Sequence, residues 1–118
     1  YEPAPAIMKS QCFKTLASQY KLAKLAPATH LFTARHYAAA FPGTIYTIFD
    51  SLPVDRMALR RAGIQRGNLK CRNFPETPAQ LQKRLRLGDG GDDYIFACTR
   101  HDGARILLHT RRASYSEV

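Results

Sequence analysis

Apolar residues recur along this chain with two different periods, and the switches of period outline its elements. Over residues 6–20, Met8, Cys12, Phe13, Leu16 and Tyr20 fall at helical spacing, with Lys9, Gln11, Lys14 and Ser18 elsewhere on the wheel, which predicts an amphipathic helix. Residues 21–29 read as a connection that carries Leu22 and Leu25 inward, and Pro27 bars a helical continuation. A short strand over 31–33 follows, then a two-turn helix over 35–41, alanine-rich and stopped by Pro42-Gly43. At 44–49 both alternating sets of residues are β-branched or aromatic, the pattern of a central strand covered on both faces.

The second half is punctuated more sharply. A helix is predicted over 53–63, with Val54, Ala58, Leu59 and Ala62 inward, Arg56 and Arg60 one turn apart outside, and Gly63 just past its end. From 68 to 74, Leu69, Cys71 and Asn73 alternate with Lys70 and Arg72, so the strand has one face in the core and one wet and cationic. Pro75 ends its ladder. Thr77 and Gln80 then have the spacing of a capping box, with Pro78 in the first helical position, where its missing N–H costs nothing. Leu81 and Leu85 give this helix a narrow core stripe opposite Ala79, Lys83 and Arg86. Glycines 88, 90 and 91 turn the chain, and the runs 94–99 and 105–110 flank His101-Asp102-Gly103 as a hairpin. The expectation is an α/β (α+β) single domain: a mixed β-sheet of four to five strands with three to four helices, ending in a β-hairpin. Residues 1–5, extended by Pro3 and Pro5, read as a linker, the domain runs over 6–112, and a frayed basic tail begins near 111 and leaves the domain at 113–118.

Charge narrows the partners. Eighteen Lys and Arg against nine Asp and Glu leave +9, which favours a polyanion without saying which one. Cys12, Cys71 and Cys98 are dispersed and odd in number, which points to reduced core thiols in a cytoplasmic protein rather than a disulfide framework. No run of about twenty apolar residues suits a membrane span. The chain opens on Tyr1 without an initiator Met and reads as an excised, soluble piece.

The usual catalytic constellations are missing. His30, His36, His101 and His109 sit in unrelated contexts, with no nucleophile elbow beside them. Cys98 and His101 have metal-ligand spacing but lack a second pair, so no metal site is expected. The glycine-rich turn follows a helix C-terminus and carries Asp89, Asp92 and Asp93, the wrong polarity and charge for phosphate. What survives is a set of basic residues on secondary structure. Arg56, Arg60 and Arg61 on one helix, Lys70 and Arg72 on the next strand, and Lys83, Arg84 and Arg86 on the helix after it form one phosphate-binding surface only if the crossovers bring them to the same side. Arg72 and Asn73, at the corner before Pro75, either point at the same ligand or belong to a joint plugged by Phe74. Tyr37, Tyr46 and Tyr94 are candidates for stacking on unpaired bases, with core packing as the alternative.

Tyr1-Glu2-Pro3, Ile7-Met8-Lys9, His30-Leu31-Phe32, Phe41-Pro42-Gly43, Arg72-Asn73-Phe74-Pro75, and Gly88 through Gly91 with Tyr94 and Phe96 resemble, in this order, the THUMP-like C-terminal domain of a bacterial family of class I S-adenosylmethionine-dependent methyltransferases. The resemblance implies a THUMP-like fold and a methyltransferase domain on the N-terminal side. S-adenosylmethionine would sit in that other domain, so no cofactor is expected in this chain. It further implies RNA as partner, transfer RNA being the common target of such modules. The function expected is noncatalytic RNA recognition through Arg56, Arg60, Arg61, Lys70, Arg72, Asn73, Lys83 and Arg86. The alternative is a packing or lid domain for a methyltransferase with a non-RNA substrate.

Overall fold

The computed structural model describes residues 1–4, 13–26 and 29–113, with the side chains of 13–16 outside the description. In order these form β1 (Glu2–Pro3), α1 (Phe13–Tyr20), β2 (Ala23–Ala26), β3 (Thr29–Thr33), β4 (Gly43–Thr44), β5 (Tyr46–Pro53), α2 (Arg56–Arg61), β6 (Asn68–Arg72), α3 (Pro78–Leu85), β7 (Asp93–Thr99) and β8 (Arg105–Arg112). The main sheet has the order β5-β8-β7-β6. Its β6–β7 pair is parallel, which the crossover through α3 makes possible, and the other two pairs are antiparallel.

Alternation on the central strands builds a core on each face. Ile95 and Ala97 of β7 and Leu107 of β8 pack with Leu59 of α2 and Leu81 and Leu85 of α3. The intervening Phe96 and Cys98, with Ile106 and Leu108, meet Leu31 of β3 and Leu25 of β2. The sheet is therefore covered by helices on one side and by the β2–β3 hairpin on the other. A third cluster of Leu22, Phe32 and Phe41, with Ala17, Ala34 and Ile45 packed on it, ties α1, β3 and the segment before β4 together, with Tyr1 and Tyr20 edge-on to Phe41 at 5.0 and 5.7 Å.

Several predicted features occur as read. Thr77 accepts from the Gln80 N–H while the Gln80 side chain accepts from the Thr77 N–H, and Pro78 opens α3. Leu81 is fully buried and Leu85 nearly so. The final hairpin closes with Arg100 N–H donating to Ala104 O and Gly103 at φ 85°.

Other readings are corrected. Residues 2–3, expected in a linker, pair with β4, and Pro3 is tolerated because this two-stranded ribbon is all edge. A Cβ on Gly43 would collide with the Glu2 carbonyl oxygen, which is why glycine stands there. The connection over 21–29 contains β2, whose Leu25 turns to the sheet as expected. No helix forms over 35–41. There the Ala38 N–H goes to the Tyr1 hydroxyl and the Tyr1 hydroxyl to the His36 carbonyl, so long-range bonds replace a short helical ladder that lacks a cap. The strand placed at 44–49 runs on to Pro53 and lies at the edge of the sheet, with Ile48 49% and Phe49 55% exposed. Ala62 is exposed, and Ile64 fills the core place assigned to it. Arg111 and Arg112 belong to β8, not to a tail. Residues 5–12 of the first predicted helix and 114–118 of the tail lie outside the described residues.

Candidate nucleic-acid interface

Three of the predicted cationic residues come together. Arg56 opens α2, Arg60 lies one turn later, and Arg86 caps α3 in the left-handed conformation at φ 53°. All three line a cleft of about 270 Å3 between the ends of the two helices, floored by Leu59, Ile64 and Leu85. None has an ion-pair partner among the described residues, and no carboxylate lines the cleft. Arg61 and Lys83 are exposed on the same two helices outside the lining. Basic residues in a last helical turn also complement the helix dipole, which by itself accounts for Arg60, Arg61, Lys83 and Arg84. Arg84 is spoken for, holding Glu76 through two hydrogen bonds of 3.0 and 2.7 Å and keeping that carboxyl below its usual range.

Lys70 and Arg72 go elsewhere. Because Leu69 and Cys71 face the helices, the intervening cations emerge on the opposite face of the sheet. There both meet Glu2: Arg72 Nε at 2.5 Å and Lys70 Nζ at 3.6 Å, with Lys70 also 5.6 Å from the Tyr94 ring centroid. Asn73 is the first residue past the strand, at φ 53°, a conformation Asn tolerates better than most. Its amide donates to Thr29 Oγ1 at 3.1 Å and its carbonyl accepts from Thr99 Oγ1 at 2.6 Å. Thr29 is itself fully buried and donates to the Thr99 carbonyl, so the corner is tied to both β3 and β7. Of the two readings of the Arg72–Pro75 corner, the geometry favours the joint, with Phe74 packed on the helix-side core. The crossovers thus unite the helix-borne basic residues and divide them from the strand-borne ones.

Tyr46 and Tyr94 lie on the hairpin side, their rings 5.4 Å apart edge to face, and Tyr46 is 4.8 Å from Phe96. Arg112, read as tail, stands 5.0 Å over Tyr94. Arg66, not singled out in the sequence, packs beside Gly88 and Gly91. Nothing in the apolar pattern marks either residue, since their neighbours are set by strand pairing. Of the two described thiols, burial raises the Cys98 pKa to about 11 and also raises that of half-buried Cys71, which disfavours the thiolate at both. Among the described residues no three His, Cys, Asp or Glu side chains group as a metal site, and no helix is long and apolar enough to cross a membrane.

Sheet, crossover and cleft define a small α/β module. Residues 43–112 match the THUMP domain-like family model, and the chain belongs to that family. Residues 1–42 match the model of a ferredoxin-like domain. The chain is also similar to a solved structure, the "putative methyltransferase" of Porphyromonas gingivalis W83, at 36% identity and a TM-score of 0.88. That match covers 97% of this chain and 29% of the other, so the chain spans less than a third of that protein's length. No curated protein matches it.

Proposed function

We propose that this chain is the noncatalytic RNA-recognition domain of an S-adenosylmethionine-dependent RNA methyltransferase. The cofactor and the reacting groups belong to a methyltransferase domain outside it. The observation that carries the reading is the cleft between α2 and α3, where Arg56, Arg60 and Arg86 converge without a carboxylate. Unneutralised guanidinium groups at one cleft suit successive phosphates, and Arg61 and Lys83 extend the positive surface on either side. Family membership and the likeness to a protein described as a methyltransferase supply the context. Such a surface reads backbone shape, and transfer RNA is the ligand to try first.

The test is fluorescence anisotropy of the chain with labelled transfer RNA over a salt series, with duplex DNA and heparin as competing polyanions. Arg60→Glu with Arg86→Glu is expected to weaken RNA binding at least tenfold and to flatten the log–log salt slope by about two, roughly one for each phosphate no longer neutralised. An unchanged slope overturns the assignment of this cleft. The second reading, a packing domain for a methyltransferase, is favoured by one feature: Ile48, Phe49 and Met57 are exposed apolar residues on and beside the β5 edge. Equal, salt-abolished binding to all three polyanions would select it.

A further inference from the structure

A cavity larger than the arginine cleft lies elsewhere on the molecule. About 380 Å3 in volume, it opens on the other side of the sheet, between the 34–37 loop, the start of β5 and the end of β8. Its lining includes Tyr37 and Tyr46, both half-buried, the nearly buried Phe96 beneath them, Thr33 and Thr47, and the exposed Arg35, with no Asp or Glu. Aromatic walls and a few hydroxyls are what a heterocycle requires: faces to stack on, and groups that donate or accept along its edge. The volume lies within the range of small-ligand pockets, about 300–1,000 Å3.

Two features make the cavity ready before any ligand arrives. The Tyr1 hydroxyl is hydrogen-bonded both to the His36 carbonyl at 2.6 Å and to the Ala38 N–H at 2.9 Å, and a His36 ring nitrogen lies 3.0 Å from the Tyr20 carbonyl, so the loop wall is pinned. Tyr46 is fixed edge to face between Tyr94 and Phe96, with Arg112 over Tyr94 carrying positive charge along the same sheet face. The walls come from both family segments, 1–42 and 43–112, so neither segment makes this site alone.

We infer that this cavity takes one unpaired nucleobase, held between Tyr37 and Tyr46, with its phosphate toward Arg35. The inference rests on the RNA reading for the strand that supplies the base. It adds a second contact on the face opposite the arginine cleft, so that a paired region and an unpaired nucleotide would be gripped on different sides of one sheet.

The test is a titration of the isotope-labelled 118-residue chain with adenosine 5′-monophosphate, followed by amide chemical shifts, with ribose 5-phosphate as the base-free control. The nucleotide is expected to shift residues 33–37 and 46–48, and ribose 5-phosphate only the surroundings of Arg35. Tyr37→Ala, which removes a wall, and Thr47→Glu, which adds a charge at an exposed rim position and spares the core, are each expected to weaken nucleotide binding about tenfold, in line with the loss of one base stack. Identical shifts from the two ligands, or shifts confined to other residues, overturn the site. A short unpaired adenylate oligonucleotide completes the test. If Tyr37→Ala weakens the mononucleotide but not the oligonucleotide, the cavity serves a free nucleotide and the RNA part of the inference fails. Arg60→Glu with Arg86→Glu separates this idea from the proposed function: it should weaken transfer RNA and leave the mononucleotide shifts unaltered.

Discussion

Arg86 shows how much one residue can decide. It ends α3 at φ 53°, where glycine is the ordinary occupant and a side chain costs about 1–2 kcal/mol. Arg86→Gly is expected to stabilise the fold by about 0.5–1 kcal/mol, the relief of strain less the added freedom of the unfolded chain, while weakening RNA binding. Urea unfolding and anisotropy on the same variant check both signs, and a strained residue kept for its side chain is what a binding role predicts. Asp93 gives a pH handle. Desolvation pushes its carboxyl up, but hydrogen bonds from His109 at 2.9 Å and Arg111 at 2.7 Å outweigh that and leave it below the ordinary value. A carboxyl depressed in the folded state stabilises above its unfolded pKa of about 4 and loses that contribution as pH falls through the folded value. The stability gap between the natural chain and Asp93→Asn should therefore be full near neutrality and close in acid. A gap independent of pH would mean the pair contributes only shape.

At the scale of elements, α3 is the clearest case of local and tertiary signals agreeing. Its cap is closed reciprocally, and its stripe of Leu81 and Leu85 enters the helix-side core with Leu81 fully buried. Leu81→Ala is expected to cost about 2–5 kcal/mol and to lower the urea midpoint without displacing the basic surface. The β5 strand is the opposite case. Its apolar content suggested a central position, yet β8 pairs with it on one side only, and a register shift between Ile48 and Asp50 leaves Phe49 outward, 5.6 Å from the His109 ring. Composition reports that a residue suits a pleated surface, and only the pairing says whether a second layer covers it. The 35–41 stretch failed as a helix for a related reason. Its hydrogen bonds were claimed by Tyr1, more than thirty positions away, and no local window contains that partner.

For the whole molecule, what matters is which basic side chains share a side. The covalent order places Lys70 and Arg72 between two basic helices, and the strand's period of two sends them through the sheet to Glu2. The net charge of +9 is thus distributed over two faces with different neighbours, a bare arginine cleft on one and a cation-flanked aromatic cavity on the other. The predicted loss of affinity and salt slope in Arg60→Glu with Arg86→Glu belongs to this scale, because it depends on two helices lying side by side. As a counterpart, Arg72→Glu alone should leave the salt slope of RNA binding unchanged, since that guanidinium already faces a carboxylate.

By itself the sequence determined the elements whose signals are local: the capped helix after Pro75, the closing hairpin, the Ala58 and Leu59 face of α2, the alternation along β6, the excess of positive charge and the family resemblance. Each rests on residues a few positions apart, where backbone stereochemistry and periodicity act directly. Only the tertiary structure decided that β5 is an edge, that Glu2 reaches across about seventy positions to Arg72, that Asn73 bonds to Thr29 and Thr99, and that Arg56, Arg60 and Arg86 meet at one cleft. Those facts depend on strand order and crossover packing. They arise from contacts between segments far apart in the chain, which no local pattern encodes.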